Sequence, residues 1–291
     1  MLTRLARPLA ALAVLCGGLT LTATLAPAAT PPHVLVIVME NHSYSQIIGN
    51  TNAPYENQLA ADYATATASY ATTHPSLPNY MDLVSGSTDG ISTDCTTRGC
   101  ASTTAKTIVD QLSHAGISWR AYMETLPSAC YLGGDTATYV RRHDPFVYVN
   151  HIENSSTKCH RIVPASQMLT NLNSTSPPSF AWLTPNVCHD MHTCSIATGD
   201  KWLSTEIPKI QGTAWWKAGG VILLTYDEGK ATTTQNGGGH IATFILAEGY
   251  NSAGDQLSTF IDQVGVLRSV EKLYGLPYLK RAATPKNGTL T

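Results

Sequence analysis

Charge is scarce in this chain. Asp, Glu, Lys and Arg together make up 13% of 291 residues, where an ordinary soluble domain carries roughly 25%. The formal net charge is −2, and no block of Lys or Arg stands anywhere in the sequence. That argues against nucleic acid as a partner, since phosphate backbones are held by clustered cations. Beyond the N-terminus no run approaches the ~20 apolar residues of a membrane span, so no stable membrane anchor is expected. No CxxC pair is present, which argues against a cysteine zinc site. Internal repeats and low-complexity linkers are absent too. The polar surface must therefore come largely from Ser, Thr, Asn and Gln. The hydrophobic fraction of 43% is ordinary, and the length is enough for a substantial core.

The N-terminus reads as an export signal. Arg4 and Arg7 form a short basic region, "LAALAVLCGGLTLTATLA" is apolar, and "APAAT" offers small residues for cleavage near Ala28 or Ala29. The competing readings are an uncleaved anchor and a lipoprotein at Cys16. Leu15, directly before that cysteine, does not suit a lipoprotein site, which wants a small residue. The expected division is a signal peptide over 1–29 and a single domain over 30–291, with the product secreted. Six cysteines remain after Cys16. An even number in an exported chain implies disulfides, and six cysteines allow 15 pairings. Local spacing favours Cys95–Cys100, Cys130–Cys159 and Cys188–Cys194.

Apolar runs place the strands. "HVLVIVME" (33–40), "TATASYATT" (65–73), "ISWRAYME" (117–124), "SFAWLTPN" (179–186), "GGVILLTYDEG" (219–229) and "HIATFILAEG" (240–249) read as strands. Helical spacing and end signals mark 53–64, 103–116, 164–172, 199–216 (interrupted near Pro208) and 262–275. Residues 125–162 read as irregular. Strands alternating with helices predict an α/β fold, with a mostly parallel central sheet flanked by helices on both faces. In such folds ligands bind beyond the carboxyl ends of the strands.

Polar residues gather at those ends. The first strand runs into Glu40-Asn41-His42-Ser43, and the second leads to His74-Pro75-Ser76. Further on come Asn186, His189-Asp190-Met191-His192, Asp227-Glu228-Gly229 and Gly237-Gly238-Gly239-His240. Each alone has an ordinary explanation. Asn41 or Ser43 can cap a helix, and Asp227-Glu228-Gly229 can close a strand. The histidine run can be a disulfide-closed loop, and the glycines a flexible turn. Together, Glu40, Asn41, Asp227 and Glu228 put three carboxylates and an amide oxygen at one edge. Buried carboxylates repel unless paired. A divalent cation is the natural remedy; oxygen ligands suit Mg²⁺, Ca²⁺ or Mn²⁺, and the histidines keep Zn²⁺ open.

Ser76 gains a context from this. A serine hydroxyl needs a base or a metal before it can attack. Pro78 at a first helical turn would put Ser76 at the positive end of a helix, where anions bind. A cation beside a helix N-terminus suits phosphoryl transfer.

"VLVIVMENHSY", "THPSLPNYMDLVSGS", "TPNVCHDMHTCSIATGDKWL" and "VILLTYDEG" together resemble a secreted phosphoesterase family. That family includes acid phosphatases and phosphocholine-type phospholipases C. The resemblance spans roughly residues 33–280 and implies the alkaline-phosphatase-like fold. In the related nucleotide pyrophosphatases the nucleophile motif reads Thr-Phe-Pro-Asn-His. "SLPNY" has the same form, which implies Ser76 as nucleophile and Asn79 as a phosphate contact. By the same matching, Glu40, Asn41, Ser76, Asp227 and Glu228 look like ligands of a divalent cation. Asn186 stands where two-metal members carry Asp, so a complete second metal site is not carried over. His74, His189 and Asp190 go with substrate binding, and His192 or His240 with proton transfer to the leaving oxygen.

The expected activity is hydrolysis of small phosphate monoesters through a phosphoserine intermediate. The chain lacks the long C-terminal region of the larger phospholipases, which favours a monoesterase over a phospholipase C-type diesterase. A non-catalytic, metal-stabilised binding protein is a third reading, opposed by the intact Ser76 and carboxylates. The sequence does not specify an oligomeric state.

Overall fold

Strand β1 (His33–Met39) is buried from Val34 onward, which requires protein on both of its faces. In the computed structural model, which describes residues 31–248, 253–284 and 286–290, β1 lies inside an eight-stranded sheet. The other strands are β2 (Ala64–Ala66), β3 (Ser69–Tyr70), β4 (Trp119–Met123), β5 (Ile162–Pro164), β6 (Phe180–Thr184), β7 (Gly220–Tyr226), β8 (Thr243–Ala247), β9 (Gln256–Leu257) and β10 (Ile261–Asp262). The large sheet has the order β5-β4-β6-β1-β7-β8-β2-β9, and β10 pairs separately with β3. Only β8 runs antiparallel to its neighbours, β7 and β2. The expected mostly parallel α/β sheet is therefore the fold observed.

Alternation along β1 divides the core. Val34, Val36 and Val38 face one apolar cluster, and Leu35, Ile37 and Met39 face the other. The helices are α1 (Tyr44–Ile47), α2 (Pro54–Asp62), α3 (Ser76–Ser85), α4 (Ile108–His114), α5 (Asn150–Glu153), α6 (Ser156–Cys159), α7 (Met168–Leu172), α8 (Ile196–Gln211), α9 (Ala214–Lys217) and α10 (Gln263–Leu273). The first face is covered by α3, α4 and α10 through Tyr80, Met81, Leu112, Val264 and Leu267. The second is covered by α2, α7, α8 and α9 through Leu59, Leu172, Leu203, Ile207 and Trp215. Helices on both faces explain why the strands read as continuous apolar runs.

Caps and turns set boundaries that periodicity could not. The helix expected over 103–116 begins only at Ile108, because Thr107 and Asp110 form a capping box there. The helix expected over 199–216 starts at Ile196 on the Ser195 cap and runs through Pro208. Its interruption falls at Gly212–Thr213, where Thr213 caps α9. The strand expected over 65–73 breaks into β2 and β3, each pairing in a different sheet. Strands β9 and β10, two residues each, are too short to carry an alternating pattern. The N-terminus of α2 lacks a side-chain cap of its own. Asp200 on α8 fills that place, accepting from the N–H groups of Tyr55 and Glu56 at 3.1 and 2.9 Å.

The segment 125–162 is ordered by a buried cation rather than by a sheet. Arg141 is fully buried; it donates to the carbonyls of Leu132, Gly133 and Val147 and lies over the Tyr148 ring. The Cys130–Cys159 disulfide closes the same segment. Cys95–Cys100 and Cys188–Cys194 are bonded as well, so all three expected pairs form. No helix among the described residues is long and apolar enough to cross a membrane. The proposed signal peptide lies outside the described residues.

Candidate active site

Parallel topology sends Glu40 (after β1), Glu124 (after β4), Asn186 (after β6) and Asp227 (after β7) to one edge of the sheet. Glu40 is the centre of what gathers there and is fully buried. Its Oε2 accepts from the Ser76 hydroxyl at 3.1 Å and from the Asn41 side-chain amide at 3.2 Å. Its Oε1 accepts from the Tyr80 hydroxyl at 2.6 Å and lies 3.2 Å from His143 Nε2. Ser76 opens α3 and Tyr80 stands one turn later, so a single helix face serves both oxygens of Glu40.

Asp227 is fully buried beside them. Its Oδ1 accepts from the Asn41 N–H at 3.0 Å, a contact made with Asn41 in the left-handed region at φ 60°. Its side chain lies beside those of Ser76 and Glu40. Burial, then the mutual repulsion of neighbouring acids, pushes Glu40 and Asp227 well above the carboxylate range. Burial and Asp94 push Glu228 up to about 8. Glu228 lies 3.1 Å from His74 Nδ1, while His74 Nε2 donates to the Thr233 carbonyl at 2.7 Å.

On the other side of Glu40, His143 lies between two acids. Its Nδ1 is 3.1 Å from Asp190 Oδ2, and its ring stacks on Tyr80. Burial, helped by Arg142, lowers His143 to about 3, so the ring is neutral. Burial raises Asp190 to about 7. His192 Nε2 accepts from Arg142 Nη2 at 3.2 Å. Because Arg can only donate, the single proton of neutral His192 sits on Nδ1, which is buried and has no protein partner.

The donor set fits a cation. Glu40 accepts from Ser76, Asp227 lies beside it, Glu228 adds a third buried acid, and Asp227 Oδ2 has no hydrogen-bond partner. Glu40, His143 and His192 also offer ligand atoms within 4.8 Å of one another. Excess buried negative charge that now takes up protons is what a divalent ion would replace.

Not every expected residue stands in this cluster. Asn79 is completely buried and committed to the turn before Ser76. Its oxygen accepts from the Thr72 and Thr73 N–H groups, and its amide donates to the Thr73 carbonyl and to Glu228. His240 is stacked between Tyr44 and Tyr70, with Nε2 on the Thr67 carbonyl at 3.0 Å. Its contacts are thus with the β3 end of the structure and not with the carboxylates. His189 bonds Glu124 at 2.9 Å and stacks on Trp202. There it borders a cavity of about 420 Å³ lined by Glu124, Leu126, Met168, Leu183 and Trp202.

Sequence reasoning missed Tyr80, Arg142, His143 and Glu124. "RRHDP" at 141–145 was the available signal: four ionisable residues in succession, inside a chain poor in charge.

The sheet edge thus brings a serine hydroxyl at a helix start onto a buried acid. The chain belongs to the phosphoesterase family, whose model matches residues 50–277. It is 32% identical over 287 residues to the phosphatidylinositol-3-phosphatase of Mycobacterium tuberculosis, covering 95% of this chain and 91% of that protein. It is 30% identical over 252 residues to an acid phosphatase of Aspergillus fumigatus, covering 84% of this chain and 55% of that protein. Among solved structures, a Vibrio parahaemolyticus protein of the alkaline phosphatase superfamily matches with a TM-score of 0.59 at 13% identity, covering 89% of this chain and 69% of that one. A phosphonate monoester hydrolase from Silicibacter pomeroyi matches with a TM-score of 0.59 at 12% identity, covering 89% and 76%. The fold is that of the alkaline phosphatase superfamily, and the protein is a hydrolase of phosphoric esters.

Proposed function

We propose that this protein is a secreted phosphomonoesterase that works through a phosphoserine on Ser76. The observation that carries this reading is the Ser76 hydroxyl held on Glu40 Oε2 at 3.1 Å, in contact with Asp227, at the first residue of α3. Glu40 Oε2, which accepts from the Ser76 hydroxyl, would take the serine proton once a cation replaces the protons on the buried acids. Oγ then forms its bond to phosphorus as the ester P–O bond breaks. The Nδ1–H of His192 is the unpaired donor available to the leaving oxygen as charge builds on it. Water subsequently cleaves the phosphoserine and releases inorganic phosphate.

A divalent cation held by Glu40, Asn41, Asp227 and Glu228 together with Ser76 would supply the positive charge that lowers the cost of the serine alkoxide and the phosphoryl oxyanion. Oxygen donors make Mg²⁺, Ca²⁺ or Mn²⁺ the natural choice over Zn²⁺. His192 is better used as a donor than as a ligand, because its free nitrogen carries the proton. Asn79 acts by fixing the turn and Glu228. His189 and Glu124, beside the cavity, take the leaving group on this reading. His240 has no role in the chemistry on this reading.

The Mycobacterium tuberculosis and Aspergillus fumigatus relatives are named phosphatases, which supports a monoester substrate over a diester. The decisive experiment compares p-nitrophenyl phosphate, its bis ester and phosphatidylcholine as substrates of wild type and Ser76→Ala. Monoester turnover lost in Ser76→Ala supports the reading. Near-full activity in that variant sinks the nucleophile assignment, and preference for either diester sinks the monoesterase assignment. The signal peptide over 1–29, secretion and one domain over 30–291 belong to the same reading. Sequencing the N-terminus of exported protein tests them.

A further inference from the structure

The first turn of α3 is already occupied by an anion. Asp94 Oδ1 accepts from the N–H of Leu77, the residue after Ser76, at 3.1 Å. Pro75 provides no side-chain cap, and Pro78 has no N–H to offer. The other oxygen of Asp94 lies 3.5 Å from Arg142 Nε. Arg142 is partnered all round: Asp135 lies 3.3 Å from Nη1, and Nη2 donates to His192. Asp94 thus makes the pair of contacts a phosphoryl group would make beside Ser76, one to a helix N-terminal N–H and one to a guanidinium.

A further observation points to an anionic ligand here. His192 Nδ1, a donor on the ring that accepts from Arg142, has no partner. Asp94 also differs from the groups around it in exposure. Its side chain is a third exposed, against 13% for Arg142 and none for Glu40. Residues 92–94 are exposed, so the Asp94 carboxylate can turn away from Leu77 while Cys95 stays in the core.

We propose that Arg142 is a phosphate-binding residue of this site and that Asp94 holds its place in the resting protein, so that substrate binds by displacing the Asp94 carboxylate. The proposal rests on the phosphomonoesterase reading, and it goes beyond it by assigning a clamp and a built-in competitor. Arg142 exchanges one anion for another and is never left uncompensated. That matters for a partly buried guanidinium, since a buried unpaired charge is costly. Without the exchange, Arg142 would be free to pair more tightly with neighbouring acids and to distort the His192 contact.

The test is a titration of the full protein, supplied with its metal, with inorganic phosphate in a calorimeter. Asp94→Asn keeps an oxygen for Leu77 N–H and removes the competing charge, so phosphate should bind about tenfold more tightly, or ~1.4 kcal/mol. Arg142→Met should weaken binding about tenfold or more. In the double variant the Asp94 gain should vanish, because its beneficiary is gone. KM for p-nitrophenyl phosphate should fall in Asp94→Asn in step with the phosphate constant. Unchanged or weaker phosphate binding in Asp94→Asn overturns the competitor role, and a gain that persists in the double variant overturns the clamp. A mere helix cap, which the amide oxygen of Asp94→Asn would still supply, predicts no gain in affinity in that variant. Turnover surviving in Ser76→Ala would sink the nucleophile reading alone, since the titration measures binding without chemistry.

Discussion

The Tyr80 hydroxyl donates to Glu40 Oε1 at 2.6 Å, while Ser76, one turn earlier on the same helix, donates to Oε2. The spacing along α3 therefore fixes the orientation of the acid against the nucleophile. Tyr80 is fully buried and burial raises it well above its ordinary range, so it stays a donor at every working pH. Tyr80→Phe should cost roughly 10–100-fold in metal affinity or turnover, as loss of a supporting hydrogen bond usually does. Metal titration and steady-state kinetics read both, with circular dichroism to show that the fold is kept.

A covalent intermediate is expected on Ser76. Acid quench during turnover followed by mass spectrometry should find phosphate on the peptide carrying Ser76 in wild type and none in Ser76→Ala. Melting of that variant should lie close to wild type, because the hydroxyl is small and its acceptors keep other donors.

Removal of the cation should stop turnover, and add-back should restore it. Asp227→Asn should weaken metal binding ~100-fold or more, and His192→Gln much less, because the His192 proton is on the free nitrogen. Equal losses would move the cation to the Glu40, His143 and His192 group. Undiminished activity in metal-free protein would reject the cation altogether.

Glu56 gives a pH signature independent of the site. It is fully buried, accepts from the Tyr226 hydroxyl at 2.8 Å, and burial raises it to about 8 from 4.5. Below pH 4.5 both the folded and the unfolded chain hold this proton. Between that value and about 8 the unfolded chain releases it while the folded chain keeps it. Stability is therefore lost as pH rises through this window. Glu56→Gln should remove the loss, making the variant more stable relative to wild type at pH 9 than at pH 5, by on the order of a few kcal/mol. Urea unfolding at the two pH values checks it.

The Cys130–Cys159 bond closes a 29-residue separation around the segment that carries Arg142 and His143. Replacing both cysteines by Ala should destabilise the protein by about 3–4 kcal/mol. Turnover should fall too, as His143 loses its fixed place beside Glu40.

The chain itself determined the sheet and most of its polar edge. Val and Ile runs had to be buried on both faces, and parallel strands then had to deliver Glu40 and Asp227 to one end. Ser76 was legible because prolines and a following helix give a local signature. What only the tertiary structure decided was which histidine meets those acids. His240 carried a glycine-flanked strand-end pattern, yet its ring is held between Tyr44 and Tyr70. His143 had no strand beside it, and it reaches Glu40 because buried Arg141 folds its segment back over α3. Asn79 likewise matched a substrate-contacting motif but spends its hydrogen bonds on the turn. Local patterns set where a side chain sits along the backbone. Long-range packing and the satisfaction of buried charge set what it touches.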